Sequence, residues 1–188
     1  MANSQSIGNY SNNNTQNLYI TNIEQRTLIP TVLFKLLENV KKFQSQNNEK
    51  FELKKPAKLK EKLQYNNSRT YIRKFSEGIN NYVLLDEILK NEFPDSQKVV
   101  EKVKDIFFDF TPMDENGEPI VGNGDECLKD MHNEIKERIA RDPDFLSSGI
   151  DDSDLDKFII ALLQYVVIEC QVLLNPNNDK ESDDVIAW

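Results

Sequence analysis

Residues 155–174, LDKFIIALLQYVVIECQVLL, constrain the fold more than any other stretch of the chain. Their apolar side chains surround the helix axis instead of keeping to one stripe. A helix that is apolar on nearly every face has to be enclosed by others, which places this one at the centre of a bundle. Asp151 or Asp152 stands where an N-cap belongs, and Asn175-Pro176 ends the pattern. No run in the chain reaches the roughly 18 apolar residues of a membrane span.

The enclosing helices follow from helical spacing. After Pro30, Leu33, Leu36, Leu37 and Val40 recur at i, i+3, i+4 and i+7, predicting a helix that reaches Phe43 and dissolves in the polar loop QSQNNEK. Pro56 opens a second, with Leu59 and Leu63, that leads to Tyr65-Asn66-Asn67. A third, from Ser68 to Phe93, carries Ile72, Phe75, Ile79, Tyr82, Leu85, Ile88 and Leu89; Gly78 loosens its middle and Pro94 stops it. Asp95 or Ser96 caps a fourth, whose apolar face is Val99, Val100, Val103, Ile106 and Phe107. Residues 108–126 hold three of the six glycines and two of the seven prolines, and read as a long surface connection. A helix from Glu126 to Ile139 then turns Cys127, Leu128, Met131, Ile135 and Ile139 inward.

The two ends differ from this middle. Residues 1–17 are rich in Asn, Ser and Gln and hold too little apolar surface to fold alone. NLYITNI, residues 17–23, alternates as a short strand would, or else forms an extended arm packed on the helices. The expected fold is therefore mainly α: a bundle of about five to six helices with a short N-terminal β-strand or extended arm. The expected divisions are a polar arm over 1–25, a bundle over 26–176 and an acidic tail over 177–188.

Charge is divided just as unevenly. Residues 1–80 hold 13 Lys and Arg against 6 Asp and Glu, whereas residues 81–188 hold 10 against 26. The positive side is densest in KKPAKLKEKL, where Lys54, Lys55, Lys58, Lys60 and Lys62 surround one glutamate. Such a segment forms either a solvated helix face that complements the acidic remainder, or a surface for nucleic-acid phosphates. The net charge of −9 favours the first.

Catalytic chemistry finds little to work with. His132 is the only histidine, and Cys127 lies about 140° away from it around an ideal helix, so the two do not share a face. No CxxC or HExxH spacing accompanies them, and Cys170 lies within the apolar central run, as a core thiol does. A calcium loop counted from Asp144 puts Leu146 and Leu155 at ligand positions, and one counted from Asp114 puts Ile120 where glycine belongs. Walker, dinucleotide and nucleophile-elbow glycine patterns are absent. The N-terminus lacks the basic start and apolar stretch of a signal peptide, and two cysteines make no disulfide scaffold, so a cytoplasmic setting is expected. No enzyme activity, cofactor or metal is expected.

One cadence carries a family resemblance. A helix ending in Lys62-Leu63, Tyr65-Asn66-Asn67 is followed by Tyr71 and by apolar residues at Ile79, Tyr82, Leu85 and Ile88; much later, Ile160 to Cys170 leads to Leu174-Asn175-Pro176. Over residues 53–176 the chain resembles the C-terminal interaction domains of bacterial ABC-type three-component conflict systems, the Lamassu-like antiviral defence group. The resemblance implies a helical module that docks an effector on an SMC- or ABC-type ATPase. Such modules usually follow an effector, and here only some 50 residues precede the module. A stand-alone adaptor or regulatory subunit is therefore expected, with no catalytic residues to carry over.

Candidate partner contacts are Tyr65, Asn66 and Asn67, which alternatively turn the chain between helices. Leu18, Tyr19 and Ile20 are placed to add to a partner's sheet edge or to pair with a second copy of the chain. Trp188, the only tryptophan, ends the acidic tail as an anchor for the bundle or for a partner.

Overall fold

A computed structural model describes residues 31–46, 57–169 and 172–176. Leu18, Tyr19, Ile20, Lys54, Lys55, Cys170 and Trp188 lie outside the described residues, as do the proposed strand and tail.

The described chain is mainly helical, with α1 at Val32–Gln46, α2 at Ala57–Tyr65, α3 at Arg69–Glu77, α4 at Ile79–Asn91, α5 at Ser96–Phe110, α6 at Gly124–Ala140 and α7 at Asp152–Glu169. The helix expected over 68–93 is two helices because Gly78 breaks it. Gly78 N–H still donates to Lys74 O at 2.9 Å, but Asn81 and Tyr82 N–H both converge on Gly78 O, at 3.0 and 3.2 Å, so the i→i−4 ladder is interrupted at the bend. A Cβ at Gly78 would lie 3.3 Å from Ile160 Cγ2, which shows how closely the bend approaches α7.

The central position of the apolar run is borne out. Every residue from Ala161 to Val167 is buried, and no single stripe can produce seven consecutive buried positions. α7 packs most extensively on α4, then on α6, and also touches α1, α3 and α5. Asp151 is the cap, its carboxylate accepting from Asp154 N–H at 2.8 Å. The helix ends earlier than its apolar pattern does. Leu173 adopts φ +67°, which no helical continuation allows, and residues 172–176 fold back as a strap.

α1 is tied across the bundle by the buried carboxylate of Asp142, which accepts from Thr31 N–H at 2.6 Å. Thr31 in turn caps the helix through Phe34 N–H at 3.1 Å. Between α5 and α6 the expected connection narrows to a small hairpin, with an antiparallel bridge from Met113 to Pro119. Asp114 organises its tip by accepting from Asn116 and Glu118 N–H, both at 2.8 Å. These backbone donors hold its carboxyl below the usual range.

Candidate functional site

The Tyr65-Asn66-Asn67 signal is first a helix stop. Asn67 takes a left-handed φ of +56°. Ser68 N–H then reaches Leu63 O at 2.8 Å and Asn67 N–H reaches Gln64 O at 3.1 Å, the paired closing bonds of a Schellman motif. Asparagine tolerates this conformation better than other residues with a Cβ.

Asn66 makes the stop into a hub. It is 4% exposed, and its amide is fully engaged with backbone. Nδ2 donates to Leu174 O at 2.9 Å and to Lys62 O at 2.8 Å, while Oδ1 accepts from Leu174 N–H at 2.9 Å. One side chain thus pairs with both polar groups of a residue 108 positions away and fastens the strap to the end of α2. The Asn66 carbonyl accepts from Gly124 N–H at 2.8 Å, which joins α6 to the same point. A Cβ on Gly124 would fall 2.1 Å from Ser68 Oγ and 2.5 Å from Asn66 O, so only glycine fits there.

The first turn of α6 closes the knot. Asn123 caps α6 through Asp125 N–H at 3.0 Å, and the Asp125 carboxylate caps α3 by accepting from Thr70 and Tyr71 N–H at 3.0 and 3.3 Å. Tyr71 stacks edge-on against Phe75, with centroids 5.5 Å apart. Burial, and secondarily the nearby Asp125, push its hydroxyl far above the usual phenol range. Asn66 and Asn67 therefore hold the fold's own chain together, and of the three candidates Tyr65 is the one exposed as a large apolar surface.

Of the lysines proposed for nucleic acid, Lys60 is exposed, whereas Lys62 turns inward and donates to Val167 O at 2.9 Å. His132 is half-buried on α6, with Nε2 3.6 Å from Asp156 Oδ1. Burial lowers its pKa, which Asp156 offsets in part. Cys127 is half-buried beside Thr111 Oγ1 at 3.7 Å, and burial raises its thiol pKa, as suits an unreactive side chain. Among the described residues no three His, Cys, Asp or Glu side chains gather as a metal-binding group, and no helix is long and apolar enough to cross a membrane.

Two features escaped the sequence reading. Four of the six exposed large apolar side chains among the described residues, Phe108, Phe110, Met113 and Ile120, crowd into the end of α5 and the hairpin. Residues 108–126 around them contain six Asp and Glu and no Lys or Arg. The signal was present in FDFTPM, where aromatic residues continue past the helical stripe of α5. The second is Gln164, a polar residue buried among apolar neighbours in the middle of α7. Comparison with known proteins adds no relative: no family model, no curated protein and no solved structure matches the chain.

Proposed function

We propose that this chain is a non-catalytic interaction subunit that binds a protein partner through the end of α5 and the hairpin that follows. The exposure of Phe108, Phe110, Met113 and Ile120 within a short stretch carries the reading, because water is a poor neighbour for four large apolar groups so close together in sequence. Their acidic setting fits a partner face with apolar sockets bordered by Lys or Arg. Tyr65, at the end of α2, is a further exposed aromatic on the helical side. The resemblance to ABC-type three-component systems supplies the partner class: an SMC- or ABC-type ATPase, or the effector docked on it, within an antiviral complex.

Co-expression with the products of neighbouring genes tests the reading. The expected result is co-purification of an ATPase or effector with the wild-type chain, and its loss from the Phe110→Ser, Met113→Ser, Ile120→Ser triple variant. A monomer that captures neither, or a complex indifferent to the triple variant, would overturn it.

A further inference from the structure

A cleft of about 500 Å³ lies between α2, α3 and α4. Leu59, Ile72 and Ile79 line it and are only half-buried, so each keeps part of its apolar surface in water. Lys60 and Glu61 are the charged groups on its rim, and both are exposed. Residues 57–77, which include both helices of that rim, hold six Lys and Arg against two Asp and Glu. The border of the cleft is therefore net basic, and Glu61 weakens that field without reversing it.

Residues 177–188, NNDKESDDVIAW, complement that lining in composition. Four Asp and Glu against one Lys precede Val185, Ile186 and Trp188. Apolar anchors behind a run of carboxylates suit an apolar cleft with a basic border. The α5 end and hairpin also expose apolar groups, but residues 108–126 hold six Asp and Glu and no Lys or Arg, and so repel this segment. Reach favours the cleft as well. Leu174 is bound to Asn66 at the end of α2, and nine residues of α2 extend only about 14 Å. Val185 lies nine residues beyond Pro176, enough for an extended chain to span about 30 Å. We propose that the acidic tail docks on its own bundle, with Trp188 against Leu59, Ile72 and Ile79 and with Asp183 and Asp184 facing Lys60. A short tether makes this seat more accessible to the chain's own tail than to a second copy's. The proposal is independent of the partner surface at the α5 end, which shares none of these residues.

Trp188 is the only tryptophan, so its fluorescence in the full chain reports the docking directly. Its emission is expected to lie to the blue of that from the urea-unfolded chain, and acrylamide should quench it less. Ile72→Asp places a carboxylate in the cleft and is expected to return both readings toward the unfolded values while the far-UV dichroism stays helical. Lys60→Glu, on the exposed rim, leaves the fold alone and carries the test if Ile72→Asp does not fold. It is expected to lower the ratio of docked to undocked tail about threefold, as the loss of one exposed ion pair does. Asp183→Lys with Asp184→Lys should restore docking in the Lys60→Glu chain. Emission from Trp188 equal to that of the unfolded chain would overturn the proposal. So would a blue shift that Lys60→Glu leaves unchanged, which places the indole elsewhere, or one that fades on dilution, which assigns the cleft to a second copy.

Discussion

Among the described residues two side-chain amides are buried, Asn66 and Gln164, and their surroundings are opposite. Asn66 is 4% exposed, and its Nδ2 and Oδ1 are taken up by the backbone of Lys62 and Leu174. Gln164 is 1% exposed, yet its Oε1 has no donor. Burial alone therefore does not tell what a polar side chain is for; its remaining hydrogen-bonding capacity does. A saturated amide is architecture, because removing it orphans its partners. An unsaturated amide is a cost, because its buried oxygen has left water without gaining a donor.

The largest expected effect tests the saturated region through its backbone. Gly124→Ala would drive a methyl group to 2.1 Å from Ser68 Oγ and 2.5 Å from the Asn66 carbonyl. The hydroxyl can rotate away but the carbonyl is held by the helix stop, so α6 must shift and break the Gly124 bond. A loss of about 3 kcal/mol or more is expected in urea unfolding. A loss below about 1 kcal/mol would mean that the junction gives way easily and that the knot is not rigid.

Asn66→Ala comes next. It leaves Leu174 N–H and O and the Lys62 carbonyl without the amide, and about 2 kcal/mol is expected to be lost. Amide hydrogen exchange should accelerate at Leu174 well before it does in α7, because the strap is fastened at that point. Comparison with Gln164→Leu sharpens the contrast, since that change is expected to cost nothing or to stabilise. Equal losses from the two would erase the distinction between them.

What was legible in the sequence divides along the same line. Apolar spacing identified the inward faces of α1, α5 and α6, and the all-round pattern put α7 at the centre. These follow from period and hydrophobicity, which are local. Gly78 was visible as a weak point but not as a break, because one glycine in a helix costs only about 1 kcal/mol and its approach to Ile160 decides the outcome. The Tyr-Asn-Asn signal was legible as a turn. Its link to Leu174 was not, since a bond spanning 108 residues leaves no trace in either segment alone. Gln164 stood in view inside the apolar run, but whether such an amide finds a donor depends on helices packed against it.

A titrating side chain offers a smaller test of how burial weighs on a polar group. The His132 imidazole sits among Lys74, Lys136 and Asp156, and burial holds its pKa below the ordinary 6.5. The folded state therefore takes up a proton less readily than the unfolded chain. Stability from this group is complete above pH 6.5 and is lost as pH falls through the window beneath it. Between pH 7.5 and 5.5, which lies above the ordinary carboxylate range, the urea midpoint should fall in the wild type. It should fall less in His132→Gln. An identical slope in both would place the imidazole in a more watery setting than its half-buried position implies.

Tyr71→Phe is the smallest expected effect and bears most directly on the contrast. The Tyr71 hydroxyl is buried without a partner, like Gln164 Oε1. Its ring keeps the edge contact with Phe75, and Lys74 Nζ stays 4.7 Å above the ring plane's centre, whether or not the oxygen is present. Removing the oxygen gives up no hydrogen bond and relieves an unmet one, so the change in stability should lie within about 0.5 kcal/mol and on the stabilising side. A loss of about 1.5 kcal/mol would mean that ordered water satisfies the hydroxyl in solution. Tyr71→Phe therefore tests whether this unpaired buried oxygen is dry.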